Sequence, residues 1–312
     1  SKQMATVPSG IQHELRHGDQ TVFITEVGAG LRSYTAGARS IIDGYTKTEM
    51  CTGARGHTLI PWPNRIKAGS YEWAGEVRQL DLTEPEVDGA IHGLTRWASW
   101  DVIERGENHA SFGYTLYACP GWSWVLECRI DYALDNSGLS VRTTATNIGN
   151  EACPYGTGAH PYLTVGTETI DWAHAHVPGS VYLPVDDVGI PTGRESVEGT
   201  HYDLRTPQEL GARKIDVTYA DLRRDSDGRA RVTLSLLDGP AVSLWTDKAY
   251  PYLEIFTGDA LPQPDRRRTG LGVEPMTCVP NAFNSGEGLI TLEPGESHSA
   301  SWGIEPHAYE AR

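Results

Sequence analysis

Long apolar runs are missing from this 312-residue chain. None approaches the roughly 18 unbroken apolar residues that a membrane-crossing helix needs, so no membrane partner is expected. Paired cysteines are missing as well: Cys51, Cys119, Cys128, Cys153 and Cys278 are odd in number, scattered, and never spaced as CxxC. That argues against a disulfide framework and a zinc site, and for a reducing compartment. Positive charge is scarce, the net charge being −15 with histidine neutral, so the chain should repel nucleic acid and anionic surfaces. The opening Ser1-Lys2-Gln3-Met4-Ala5-Thr6 has no apolar signal-peptide core. Whether Ser1 is an expression scar or marks processing of a longer start, the expectation is a cytoplasmic protein. GxSxG, the P-loop and GxGxxG are also absent, which leaves serine-hydrolase and nucleotide readings without support. Neither a metal nor a cofactor is expected.

Helical periodicity is in equally short supply, and strand signals take its place. Over residues 124–134, Trp124, Leu126, Cys128, Ile130, Tyr132 and Leu134 alternate with Val125, Glu127, Arg129, Asp131 and Ala133, the period of a strand with one buried face. Asp135-Asn136-Ser137-Gly138 supplies a turn, and Leu139-Ser140-Val141-Arg142-Thr143 resumes the alternation, so a hairpin is expected. Residues 112–116, 231–236 and 300–304 repeat the pattern, and the 34 glycines and 19 prolines fall mostly between such runs. Only Thr206-Pro207-Gln208-Glu209-Leu210 reads as a short helical turn, with Thr206 as N-cap and Pro207 in first position. Strand signals run from about Thr21 to Ile304 without a linker, a repeat or a composition break. Residues 1–312 therefore read as a single all-β domain of large packed antiparallel sheets.

Several stretches fit neither core nor surface. In Gly156-Thr157-Gly158-Ala159-His160-Pro161, small residues clear space around an imidazole and Pro161 stiffens the chain just beyond it. Such a histidine either closes a turn or donates a proton near neutral pH. Asn64-Arg65 comes after Pro61-Trp62-Pro63, a rigid wall that makes a plain surface ion pair a poor account of the arginine's planar fork. His92 precedes Gly93, with Trp97 and Trp100 downstream as either sugar-stacking faces or core. Glu274, in Leu271-Gly272-Val273-Glu274-Pro275-Met276, has an apolar setting that should raise its pKa, and Arg65 is a candidate partner. In Leu253-Glu254-Ile255-Phe256-Thr257, Glu254 and Phe256 share the face opposite Leu253 and Ile255. Asp216 alone reads as a surface acid. Arg266-Arg267-Arg268 reads as a solvated loop or a site for a phosphate or sulfonate. His174 and His176 lie on one side of a strand without a third metal ligand nearby in sequence.

Taken in order, Asn64-Arg65, Ile91-His92-Gly93-Leu94, Gly158-Ala159-His160-Pro161-Tyr162, Tyr202-Asp203-Leu204-Arg205, Leu253-Glu254-Ile255-Phe256-Thr257-Gly258 and Val273-Glu274-Pro275 resemble the aldose 1-epimerase (galactose mutarotase) family over nearly the whole chain. The resemblance implies a β-supersandwich, a monosaccharide as partner, and a monomer or homodimer. It implies Glu274 as catalytic base, His160 as catalytic acid, and His92 and Arg65 as groups that hold and polarise the sugar, with Asn64 beside them. Asp216 matches a hydroxyl-binding aspartate, Asp203 being the second choice, and Glu254 stands where many mutarotases have glutamine. Acid–base logic puts the acid and the base on opposite sides of the C1–O5 region. Leu59-Ile60-Pro61-Trp62-Pro63-Asn64-Arg65-Ile66, with Glu274-Pro275-Met276-Thr277-Cys278, looks closer to a bacterial branch that includes proteins associated with sulfoquinovose use. Glucose and galactose are the default sugars, with a phosphosugar or sulfosugar mutarotase as the variant. The competing readings are a sugar sensor of the same fold and a hydrolase using Glu254 and Glu274.

Overall fold

The computed structural model describes residues 5–307, and Ser1-Lys2-Gln3-Met4 lies outside them. Alternation builds the longest hairpin. Leu126, Cys128, Ile130, Tyr132 and Leu134 are buried along the strand Leu126–Asp135, while Glu127, Ala133 and Asp135 face out. The strand begins two residues later than the alternation does, because buried Trp124 is held edge-on by Trp122, ring centroids 4.9 Å apart, ahead of the ladder. Asp135 pairs with Gly138 across the turn, and its Oδ1 accepts the Ser137 amide at 2.7 Å. Gly138 has no room for a side chain: a Cβ there would stand 2.1 Å from the Ile304 carbonyl oxygen.

Two large antiparallel sheets and a smaller one stack on this pattern. A nine-stranded sheet runs from Asp101–Arg105 through His109–Leu116, Leu126–Asp135 and Gly138–Asn147 to Ser297–His307, then to Ala241–Thr246, Ala230–Ser235, His174–His176 and Gln208–Glu209. The late strand Ser297–His307 thus joins the two halves. An eight-stranded sheet places Asp216–Leu222, Tyr252–Phe256 and Leu271–Met276 side by side, with Gly158–Ala159 and Tyr162–Leu163 both on the last of these. A four-stranded sheet covers Gln12–His17 to Arg39–Ser40. One apolar cluster draws Ile130, Val141, Leu244 and Trp302 from the first sheet, Val217, Leu253, Ile255 and Val273 from the second, and Leu15, Val22 and Tyr34 from the third. Each such buried side chain contributes about 1.5–3 kcal/mol of transfer free energy, and the result is an all-β supersandwich.

Two sequence expectations change. The 206–210 stretch is not a helical turn: Gln208–Glu209 is an edge strand paired with His174–His176, and Leu210 donates its amide to the Ala173 carbonyl at 2.8 Å. An available sheet edge offers those backbone groups partners that an isolated turn lacks. Strand structure also begins earlier than Thr21, at Gln12–His17, where buried His13 and Leu15 alternate with Gln12 and Glu14; the polar histidine hides the period. Among the described residues, helix is confined to Ala282–Ser285 and two 3-10 turns, Pro85–Val87 and Pro264–Arg266. No helix there is long and apolar enough to cross a membrane.

Candidate active site

Strand register gathers the carboxylates. Thr218 lies opposite Glu254 and Glu254 opposite Glu274, while Asp216 lies opposite Phe256 and Phe256 opposite Gly272. Directly opposed residues share a face, so these side chains stand together and Leu253, Ile255 and Val273 go to the core. His160 arrives from the Gly158–Ala159 strand. Gly158 is wedged there, since a Cβ would stand 2.6 Å from the Pro275 carbonyl oxygen. The His160 backbone is tied on both sides, its amide donating to His57 at 3.0 Å and its carbonyl accepting from Gly56 at 2.9 Å. His92 and Asn64 both adopt left-handed backbone, φ +64° and +57°, and the His92 amide donates to the Asn64 carbonyl at 2.9 Å. Such strained positions persist only where surrounding packing over-determines them.

A cleft of about 660 Å³ opens over this face. Asn64, Arg65, His92, His160, Asp216, Phe256 and Glu274 line it, and Glu254 lies buried just behind, its Oε1 accepting the Thr218 hydroxyl at 2.6 Å. Two other hollows, one around Asp43 and Arg266 and one beside Trp245, hold none of these residues. The two tryptophans take different fates: Trp97 is an exposed part of the cleft wall and Trp100 is core.

His160 Nε2 stands 3.2 Å from Glu274 Oε1, with both side chains buried. The pair is in reach but not aligned as a hydrogen bond, and Glu274 Oε1, His160 Nδ1 and His92 Nδ1 have no partner. Unpaired buried polar atoms are costly, and all three belong to residues that line one cleft. The two groups expected to act as acid and base are therefore neighbours, not groups facing each other across a ring. Because O1 and O5 are both bonded to C1, neighbours can reach both. Burial pushes the His160 imidazole down to about 3, with the charges of Arg55 and Arg96 acting the same way. Burial, then the Asp216 charge, pushes Glu274 well above the carboxylate range, against the pull of Arg65. His92 is lowered by burial and by His160. Glu254 is raised by burial and then by Asp216 and Glu274. Asp216 exposes its side chain to the cleft although protein crowds it on the other sides; that crowding raises its pKa, while a hydrogen bond from Glu254 acts oppositely.

Arg65 is not the partner of Glu274. Its fork closes on Glu84, with Nη2 at 3.0 Å from Oε2 and Nε on Oε1, because the 3-10 turn Pro85–Val87 brings that glutamate alongside. Asp203, the second choice for a sugar-binding aspartate, is paired with Arg205 at 2.9 Å and does not line the cleft. The arginine run is largely occupied by its own protein. Arg268 binds Asp171 at 2.7 Å and Asp259 at 3.1 Å, Arg266 donates to the Gly44 carbonyl, and exposed Arg267 donates Nε to the Leu261 carbonyl. None of the three lines the cleft. Among the described residues no group of three or more His, Cys, Asp or Glu side chains is placed to hold a metal ion. Sequence reasoning passed over Arg96, beside Trp97 on the wall, and Arg55, whose guanidinium lies 3.9 Å from the Tyr162 ring centre. Tyr162 in turn stacks on His160, centroids 5.1 Å apart.

The family model for aldose 1-epimerase matches residues 12–305. The chain belongs to the aldose 1-epimerase family. It is 34% identical over 300 residues to the uncharacterized protein YihR of Escherichia coli K12, covering 95% of this chain and 93% of that one. It is 35% identical over 281 residues to the galactose mutarotase of Bos taurus, covering 82% and 79%. The solved structure of a GalM/aldose epimerase homologue from C. elegans superposes with a TM-score of 0.85 at 16% identity, over 96% of this chain and 99% of that one. That likeness bears on the fold, and agrees with the supersandwich described above.

Proposed function

We propose that this chain is an aldose 1-epimerase that interconverts the α and β anomers of a free aldose, working as one domain in the cytoplasm. One observation carries the reading: the buried His160–Glu274 pair, 3.2 Å apart, on residues that line a cleft large enough for a monosaccharide. In this reading Glu274 takes the proton of the anomeric O1 while His160 gives one to the ring O5. The C1–O5 bond breaks, leaving a free aldehyde, and rotation about C1–C2 presents its other face. Reclosure returns both protons and gives the other anomer. Two protons move and one C–O bond breaks and reforms, so no oxidant, reductant or group acceptor is consumed. His92, Arg65 and Asn64 hold and polarise the sugar, Asp216 and Glu254 address its hydroxyls, and Phe256 packs on its apolar surface. The unpaired state of all five cysteines fits a reducing location.

Proton count supports the same assignment. The neutral arrangement, with the proton on Glu274, and the ion pair, with it on His160, hold the same number of protons. Burial favours the first. A sugar that offers O1–H to Glu274 and the acceptor O5 to His160 favours the second. Anomer-exchange NMR with glucose, galactose and charged sugars tests the proposal. Glu274→Gln should lower kcat by about 10²–10⁴-fold with KM little changed. Unchanged turnover in that variant would remove Glu274 from the base role.

A further inference from the structure

Arg65 is flexible by chemistry and fixed by its surroundings. A long guanidinium side chain loses much rotamer freedom when it is ordered. Here two segments outside its own strand order it before any sugar arrives. The first carries Glu84. The Glu84 amide donates to the Gly89 carbonyl at 2.9 Å, the Gly89 amide donates back to the Glu84 carbonyl at 3.1 Å, and the Ile91 amide donates to the Thr83 hydroxyl at 2.9 Å. Ile91 in turn lies opposite Arg65 in the ladder between Gly89–Ile91 and Arg65–Lys67. Carboxylate and guanidinium thus ride on one small sheet, and the fork closes with Nε on Oε1 and Nη2 at 3.0 Å from Oε2.

The second segment is the turn Asp186-Asp187-Val188-Gly189-Ile190. Asp186 Oδ1 accepts the Val188 and Ile190 amides at 3.0 and 2.9 Å, and the Gly189 amide donates to the Asp186 carbonyl at 3.1 Å. Gly189 has φ +79°, and a Cβ there would stand 2.2 Å from Arg65 Nη1. Bare backbone therefore lies against the third nitrogen, where a side chain would push the guanidinium aside. Among the described residues Nη1 has no hydrogen-bond acceptor, and it is not shut off from solvent.

We propose that Glu84 and Gly189 are positioning residues: they clamp the Arg65 guanidinium from two sides, so that the donors of Nη1 are presented already ordered to an oxygen of the sugar. The inference rests on the aldose 1-epimerase reading. Two nitrogens serve position and one is left for the ligand, which lowers the ordering cost at binding and at reaction. Glu84 also lines the cleft, so a direct contact between its carboxylate and the sugar is the alternative to separate from a role through Arg65.

The test is a double-mutant cycle read by anomer-exchange NMR, on whichever of glucose, galactose and glucose 6-phosphate wild type interconverts fastest. Glu84→Gln and Gly189→Ala are each made in wild type and in Arg65→Met, with thermal unfolding alongside. With Arg65 present, each substitution should lower kcat/KM about ten- to a hundredfold. In Arg65→Met, where no guanidinium is left to hold, each should change it less than about twofold. Gly189→Ala should lower the melting temperature in both backgrounds, because positive φ strains alanine with or without the arginine; a merely structural role would therefore make rate follow stability. If Gly189→Ala does not fold, Glu84→Gln, which keeps the shape, carries the test alone. Losses of equal size in both backgrounds would overturn the inference, as would full activity of Glu84→Gln with Arg65 in place. NMR relaxation of the Arg65 Nε–H in sugar-free protein reads the clamp without activity. It should be ordered in wild type and mobile in Glu84→Gln, and equal order in the two overturns the proposal. If no sugar is accelerated, the epimerase reading fails, and titrations with the same sugars complete the test. Binding weakened by Glu84→Gln only when Arg65 is present then supports the clamp, and binding indifferent to Glu84 overturns it.

Discussion

Replacing Glu254 by glutamine should stabilise the protein increasingly as pH rises from about 5 to 8. Glu254 is buried opposite Glu274 and beside Asp216, and burial first, then those neighbouring carboxylates, push its pKa well above 4.5. The native state therefore keeps a proton that the unfolded chain has already released. Stability from this group is fully present below the unfolded pKa and is lost as pH rises toward the folded one, at up to about 1.4 kcal/mol per pH unit. Glutamine has the same shape and does not titrate. Its oxygen can still accept from Thr218, now 2.6 Å from Oε1, and its amide can still donate to Asp216. The buried histidines bend the curve the other way: His57 and His160 are held at about 3, so their contribution falls as pH drops through 6.5. They do so in both proteins, so the difference between the two curves reports Glu254 together with the neighbouring carboxylates it interacts with. Urea unfolding of wild type and Glu254→Gln at several pH values from 4 to 9 measures it. The difference should be flat below about 4.5, grow by about 1 kcal/mol or more between pH 5 and 8, and then level off. Parallel curves across that range would refute the claim that Glu254 is held protonated.

Two further substitutions probe how the site is held. Gly93 has φ +75°, and a Cβ there would stand 2.1 Å from the Ile60 carbonyl oxygen; Gly93→Ala should cost about 1–3 kcal/mol in thermal unfolding, and an unchanged melting temperature would contradict the packing under His92. The Arg55 charge is, after burial, one of the causes that hold His160 low. Arg55→Met should move the acid limb of the kcat profile upward by roughly one pH unit, while Arg55→Lys, which keeps the charge, leaves it in place; a limb unmoved by methionine would contradict the effect of the Arg55 charge on His160.

Much of this was legible because the two relevant periods are local. Alternation around Cys128 and around Glu254 assigns each side chain to a face without knowledge of the partner strand. That was enough to set Glu254 and Phe256 apart from Leu253 and Ile255. The glycines beside His92 and His160 were equally readable, because close approach requires glycine whatever makes the approach: Ile60 at Gly93 and Pro275 at Gly158. His13 shows the limit, since a buried histidine breaks the apolar pattern that betrays a strand and conceals the first one.

Partnership is the part that was not legible, and the arginines show why. A sequence displays every cation alike, so the three consecutive arginines at 266–268 could be read either as a solvated loop or as an anion site. Which cation is free depends on carboxylates distant in sequence. Arg268 meets Asp171 across the fold, Arg65 is captured by Glu84 through a turn nineteen residues away, and Arg55 is held by Asp43 beneath Tyr162. Each pairing occupies donors that a ligand could otherwise use, and only the tertiary structure decides which donors are left, as it leaves Nη1 of Arg65. The same holds for the carboxylates. Glu274 looked like a buried acid awaiting an arginine, but Arg65 was already taken, which leaves His160 as its neighbour at 3.2 Å. That leftover proximity, of an imidazole and a carboxyl group with no other partner, is what supports the proposed acid–base role of the cleft.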